Sequence, residues 1–425
     1  MLKSRIHYAW LVLATSTLAV FASLGLARFG YTMVLPSMQA GLGFDNTQAG
    51  GLATANLIGY SVLAVLGGAL ASRFGPRIVV TVGLFTAGLA LMFTGLAGGF
   101  ASAVFWRFVT GLGSGAGNVP AMGLLASWFG ARRRGLASGV AVSGSSIGLI
   151  VLGPTVPRII AAGGEAGWRW VWIVFAGGVL GVALLAYLVL RDHPSDVGLT
   201  PLGGDTRGLY EPGPDHQVPA VSRPSAGLKW GLVYRAPAVW HLGLVYTAFG
   251  FSYIIYMTFF TKYLVQEGGY SPAEAGNLFM IVGWVSLLCG VIWGAVSDVI
   301  GRKWALVIVY LIQVVSFSMF DLWATPTGFV TSAVLFGLTA WSIPAIMAAA
   351  CGDVLGPRLA PAALGFVTLF FAIGQAAAPT IAGSLADSGG SFGPAFLLAA
   401  GVAFLGAVLA SLLRKTARAG AEEGG

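Results

Sequence analysis

Gly68–Arg77, GALASRFGPR, and Gly294–Lys303, GAVSDVIGRK, carry one pattern twice, 226 residues apart. Each follows a long apolar run and precedes another. Each sets a glycine, Gly75 or Gly301, two residues ahead of a basic side chain, Arg77 or Lys303. The same offset relates Ala49-Gly50-x-Leu52 to Ala275-Gly276-x-Leu278, and Ala137-x-Gly139 to Ala363-x-Gly365. One offset holding at several separate places implies a duplicated chain, with two similar halves in tandem.

Outward from these stretches the chain is apolar. Of 425 residues, 57% are hydrophobic and only 9% are charged, whereas soluble domains run at roughly 25% charged. That shortfall places the chain in a membrane. A helix needs about 20 apolar residues to cross a bilayer. Such runs fall near 8–36, 47–71, 77–97, 101–127, 135–160 and 168–190, then near 237–264, 273–296, 303–323, 327–350, 362–385 and 391–413. The expected fold is an all-α membrane protein of twelve transmembrane helices in two six-helix bundles. Residues 1–190 form the first bundle, 191–235 a polar linker rich in Pro, Gly and Asp with room for a short surface helix, and 236–425 the second bundle and tail. The tail after Arg418 reads as disordered.

Eighteen of the 23 Lys and Arg residues fall in the tails and alternate loops that would share one side with the N-terminus. The positive-inside bias therefore puts both termini in the cytoplasm. It also accounts for the net charge of +8 without nucleic acid. The first run, after Lys3 and Arg5, is too long for a signal peptide and reads as an uncleaved span of an inner-membrane protein. Cys289 and Cys351 lie in or beside apolar runs, far apart, and read as packing residues. The four histidines show no ligand spacing and there is no Walker sequence. Neither an enzyme, nor a metal centre, nor a bound cofactor is expected.

The chemistry sits on intramembrane cations. Arg28, in LGLARFGYTMVLP (Leu24–Pro36), and Arg107 both fall inside apolar runs. An arginine at that depth costs at least about 2.5 kcal/mol unless it meets a cavity or a partner. Counted from Pro36 and from the start of run 4, each lies roughly 10–12 Å below the outer end. No acid falls at that depth in the first half, so the missing partner is an anion or backbone carbonyls. Arginine offers a carboxylate, sulfonate or phosphate a bidentate fork. Lys262, nearer the end of run 7, has a plainer reading as a side chain that snorkels to the surface.

The two decapeptides, together with Trp128-Phe129, Arg132-Arg133-Arg134-Gly135 and Ala137-x-Gly139, resemble the loop signatures of the major facilitator superfamily. Ser72 stands where that pattern has an acid; Asp298 keeps it in the second copy. The resemblance spans the chain. It implies a secondary transporter working by alternating access, usually monomeric, with runs 1, 4, 7 and 10 around a central cavity. It makes Arg107, four residues before Gly111, either a cavity residue or a brace for helix 1. The mid-depth residues Arg28, Tyr31, Arg107, Asn118, Ser143, Tyr253, Tyr256, Trp341, Phe370 and Gln375 are the expected substrate-binding set. Arg73, Gly75, Arg77, Asp298, Gly301, Arg302 and Lys303 are the expected gating set, latching the halves on the cytoplasmic side in one state. The expected substrate is a small carboxylate-like anion, moved by proton symport or exchange. The other readings are a drug exporter or a non-transporting sensor on the same fold. Against the exporter, no carboxylate occupies the cavity runs. The monocarboxylate and oxalate/formate branches carry their arginine in run 8, which has none here.

Overall fold

The computed structural model describes residues 7–203 and 231–413. Lys3, Arg5, the remainder of the linker and the tail after Leu413 lie outside the described residues, as do the side chains of Arg132 and Arg358. The long helices follow the twelve runs. The first six are α1 Ala9–Leu42, α2 Asn46–Phe74, α3 Pro76–Gly95, α4 Phe100–Trp128, α5 Ala131–Gly163 and α6 Gly167–Val189. The second six are α7 Pro237–Gln266, α8 Pro272–Ile300 with a 42° bend after Ser286, α9 Arg302–Leu322, α10 Pro326–Gly356, α11 Ala362–Gly389 and α12 Gly393–Ser411. Among the described residues the only strand-like contact is a bridge between Phe129 and Leu202. Apolar side chains such as Phe85, Leu184, Trp284 and Phe404 face outward, as a lipid-facing belt requires. This is an all-α membrane protein.

The repeat reaches the backbone. α2 and α8 start and stop at positions 226 apart. Both open on a capping box, Asp45 with Gln48 and Ser271 with Glu274, in which side chain and main chain satisfy each other's free N–H groups. Both end at a glycine with positive φ, 84° at Gly75 and 87° at Gly301. A side chain is strained there, which explains why glycine recurs in both decapeptides.

Two groups of connections define two faces. The Gly75 face holds Gly75, Gly130, Gly301 and Gly356; the Asp45 face holds Asp45, Gly164, Gly269 and Gly390. Toward the Asp45 face the halves touch closely at two equivalent crossings. A Cβ on Gly50 of α2 would strike the backbone at Pro379 of α11, and one on Gly276 of α8 would strike the backbone of Gly153 of α5. Among the described residues, hydrogen bonds between the halves run from Thr47–Asp387 at this face to Ser61–Gln375 and Ser146–Trp341 near mid-chain. Among the described residues none lies at the Gly75 face, so the polar contacts between the halves gather toward the Asp45 face.

The basic loops are satisfied within their own halves. Arg77 donates to the Tyr187 carbonyl (2.7 Å) and lies over the Tyr187 ring, and its N–H donates to Asp192 (2.7 Å). Arg302 pairs with Asp298 and Asp353, the only ion pairs among the described residues. Arg73 and Lys303 lie over the neighbouring rings of Phe74 and Trp304. Among the described residues the expected gating set makes no hydrogen bond or ion pair between the halves. The start of the expected linker packs on the first half: Trp128 Nε1 donates to the Arg191 carbonyl and Gly130 N to that of Leu202.

α1 departs from its expected end. It runs through Pro36 to Leu42, since a proline is tolerated in a membrane helix when neighbours meet the freed backbone groups. Arg28 is therefore 14 residues from the helix end, about 21 Å along the axis, deeper than the reading from Pro36. Within α1, Phe21–Phe29 winds as a π-helix, a wide turn often found at functional sites.

Candidate functional site

Arg28 leaves the last turn of that π-helix and meets the second half. Its Nη2 donates to the Tyr253 hydroxyl of α7 and to Gln375 Oε1 of α11. The guanidinium also lies 5.3 Å from the ring centre of Tyr60 and 5.5 Å from that of Phe29, within the range of cation–π attraction. Asn118 Nδ2 donates to the Tyr60 hydroxyl at 2.8 Å. Gln375 reaches back toward Ser61 Oγ at 3.5 Å. The result is one layer, Asn118–Tyr60–Arg28–Tyr253–Gln375, that crosses the seam with one cation and no acid.

Arg107 is held differently. It is 1% exposed. Its Nη1 donates to the Ala27 carbonyl at 2.8 Å, inside the π-helix, and the charge lies over the rings of Tyr31 (4.9 Å) and Trp172 (5.2 Å). This geometry braces α1. Closely packed glycines carry it there: a Cβ on Gly111 would strike the backbone of Asn56, and one on Gly59 that of Phe108. α4 consequently lies against α2 with little between them.

Both arginines line one narrow cavity, water-sized in this structure. Its polar wall is Arg28, Tyr31, Thr32, Asn56, Arg107 and Thr258; its apolar wall is Phe29, Ala53, Leu57, Ile254 and Met257. Thr32 and Thr258 are equivalent positions of the two halves. The cations are not, since Ile254 and Ala333 stand where the second half would repeat Arg28 and Arg107. The Nε atoms of Arg28 and Arg107 are buried and make no hydrogen bond among the described residues.

Of the expected binding set, Arg28, Tyr253, Gln375 and Asn118 share the layer, and Tyr31 and Arg107 share the cavity wall. Tyr31 donates its hydroxyl to the Ala49 carbonyl. Trp341 stands at the seam, against Phe29 and donating to Ser146 Oγ. Three residues lie elsewhere. Tyr256 points into the second half, pairing its hydroxyl with Ser332 among Phe260, Phe317, Phe320, Phe336 and Phe396. Its i, i+3 spacing from Tyr253 leaves the two about 60° apart around α7, enough to turn one to the seam and the other to the core. Phe370 packs with Trp240 and Phe366; its neighbour Phe371 stacks on Tyr253 instead. Ser143 bonds back to the Val140 carbonyl of its own helix, while Ser146, one turn on, crosses to Ser286 and Trp341. Lys262 does not snorkel: it is 1% exposed and donates to Gln39 and Asn46 of the first half.

Tyr60 and Asn56, both on run 2, are missing from the expected set. A signal for them exists in the sequence: Asn56 and Tyr60 are polar or amphipathic and four residues apart on one helical face. The two tyrosines of α7 provide a test. Tyr253→Phe is expected to slow transport at least several-fold, by removing the hydroxyl that accepts from Arg28. Tyr256→Phe is expected to leave the transport rate unchanged and to cost about 1 kcal/mol of stability. Equal transport losses in uptake assays on the two variants overturn this division.

The model of the Major Facilitator Superfamily matches residues 17–271, and that described as "Uncharacterised MFS-type transporter YbfB" matches residues 226–411. The chain is 25% identical to a probable sulfoacetate transporter of Cupriavidus necator, with 97% of this chain and 95% of the relative covered. It is 26% identical to the hexuronate transporter of Bacillus subtilis (89% and 88% covered) and 26% identical to a putative tartrate transporter of Agrobacterium vitis (90% and 88% covered). Among solved structures, it shares its fold with a bacterial homologue of the human lysosomal transporter Spinster in an inward-facing, unoccupied conformation. The TM-score is 0.70 at 17% identity, covering 96% of this chain and 95% of that one.

Proposed function

The chain belongs to the major facilitator superfamily, and from that premise we propose that this transporter moves a small organic anion by alternating access. The observation that carries the proposal is Arg28, a buried guanidinium at the seam whose hydrogen-bond partners among the described residues are neutral oxygens. A carboxylate or sulfonate is the partner that best offsets its desolvation. The relatives named for sulfoacetate, hexuronate and tartrate support the same sign of charge.

Alternation follows from the seam. An anion on Arg28 competes for the guanidinium with Tyr253 and Gln375, the two side chains that tie α1 to the second half. Substrate binding and the relative position of the halves are thereby coupled. In this reading residues 1–190 and 236–425 move as two bodies, the Gly75 face is cytoplasmic as its basic loops indicate, and the conformation is inward-facing. The cavity walls hold no carboxylate, so a coupled proton would travel with the anion held by Arg28.

The test is a melting screen of the purified protein against organic acids, sulfonates, sugars and cationic amphiphiles. A ligand of the native state stabilises by mass action, by about 2.7 kcal/mol at one hundred times its Kd. A small acid is expected to raise the midpoint and a cation is not. Stabilisation by cationic amphiphiles alone overturns the proposal.

A further inference from the structure

The two crossings that shut the Asp45 face are related by the duplication, yet only one carries a polar cluster. At α2–α11, Asp387 accepts from the N–H of Asn46 (3.0 Å), the N–H of Thr47 (2.7 Å) and Thr47 Oγ1 (2.6 Å). Asn46 and Thr47 open α2, so a carboxylate of one half sits on the N-terminus of a helix in the other, where free N–H groups and the helix dipole favour negative charge. Lys262 of α7 reaches the same place from the second half, donating to the side-chain oxygens of Gln39 and Asn46. Asn46 thus serves both, its N–H to Asp387 and its side-chain oxygen to Lys262.

The equivalent crossing, α5–α8, has none of this. Counting 226 residues away, Ala161 stands for Asp387, Pro36 for Lys262 and Pro272 for Asn46. That crossing has no acid and no cation at these positions, and Pro272 has no N–H to give. Duplication accounts for the helices meeting; it does not account for the cluster. Nor does α2 need Asp387 to begin, since Asp45 and Gln48 already form its capping box. What Asp387 adds is a set of bonds that exist only while the halves touch, and water can take every one of them when they part.

We propose that Asp387, Lys262 and Asn46 form a latch that holds the Asp45 face shut and sets the resting conformation of the transporter. The inference rests on the alternating-access reading. Its test is made without substrate on the full chain in lipid nanodiscs, with Cys289→Ala and Cys351→Ala as background. Spin labels at Ala40→Cys and Ala273→Cys report the Asp45 face. Labels at Ser72→Cys and Val299→Cys report the Gly75 face; all four sites are exposed.

Asp387→Ala and Lys262→Met are each expected to add a longer-distance population on the Asp45 face and a shorter-distance one on the Gly75 face. A shift of about tenfold in their ratio is the size of an ordinary coupling between sites. Asp387→Asn, which keeps the shape and loses the charge, is expected to give a smaller shift of the same sign. Unchanged distances in Asp387→Ala and Lys262→Met overturn the latch. Gly50→Trp separates that failure from failure of the underlying reading, because it wedges the α2–α11 crossing whatever Asp387 does. If the wedge opens the Asp45 face and closes the Gly75 face while the latch variants do nothing, the latch is wrong and alternation stands. If it opens one face without closing the other, alternation is wrong and the latch falls with it.

Discussion

Arg28→Ala is expected to reduce uptake of the organic anion into proteoliposomes by at least about 30-fold, the low end of the 2–5 kcal/mol lost when one partner of a buried charge pair is truncated. The protein itself should stay folded. Arg28 is a buried cation whose hydrogen-bond partners are the neutral Tyr253 and Gln375, so its removal strands no opposite charge and relieves a desolvation cost. A midpoint equal to or above that of the parent chain is therefore expected beside the lost transport. Arg28→Lys keeps the charge and loses the planar fork, and should fall between the two. Uptake by Arg28→Ala within threefold of the parent would sink the anion-clamp reading.

The second large effect concerns glycine. Gly111→Ala and Gly68→Ala are the same chemical change in neighbouring helices, and they are expected to differ in sign. At Gly111 a Cβ falls on the backbone of Asn56, so α4 must move away from α2 or the change must be refused. Forcing atoms into a packed interface costs roughly 1–3 kcal/mol. The displacement would also shift Arg107 against the Ala27 carbonyl. At Gly68 a Cβ meets nothing within 4 Å, and the substitution should gain up to about 1 kcal/mol from helix propensity. Thermal melting of the two purified variants decides. Equal midpoints would mean that the α2–α4 contact is not the close one described.

Much of this protein is legible in its amino-acid sequence. Composition, run length and the 226-residue offset determine twelve apolar helices in two halves, because bilayer thickness and duplication leave marks that local sequence carries. The turn glycines Gly75 and Gly301 are legible for the same reason, since a positive φ selects one residue type wherever it occurs. The isolation of Arg28 is legible too: a charge in an apolar run with no acid at its depth needs no coordinates to be noticed.

What Arg28 faces is decided only by tertiary structure. Its partners Tyr253 and Gln375 lie 225 and 347 residues away, and nothing local to any of them encodes the meeting. Rotation about helix axes separates Tyr253 from Tyr256 and Phe371 from Phe370. One residue turns a side chain by about 100°, and uniformly apolar helices give no periodic pattern from which to read the inward face. The same holds for Lys262, which reads as a surface-seeking cation until the second half places it on Gln39 and Asn46. Which face is shut is the least local property of all. It depends on how helices far apart in the chain sit against one another, which no local stretch encodes.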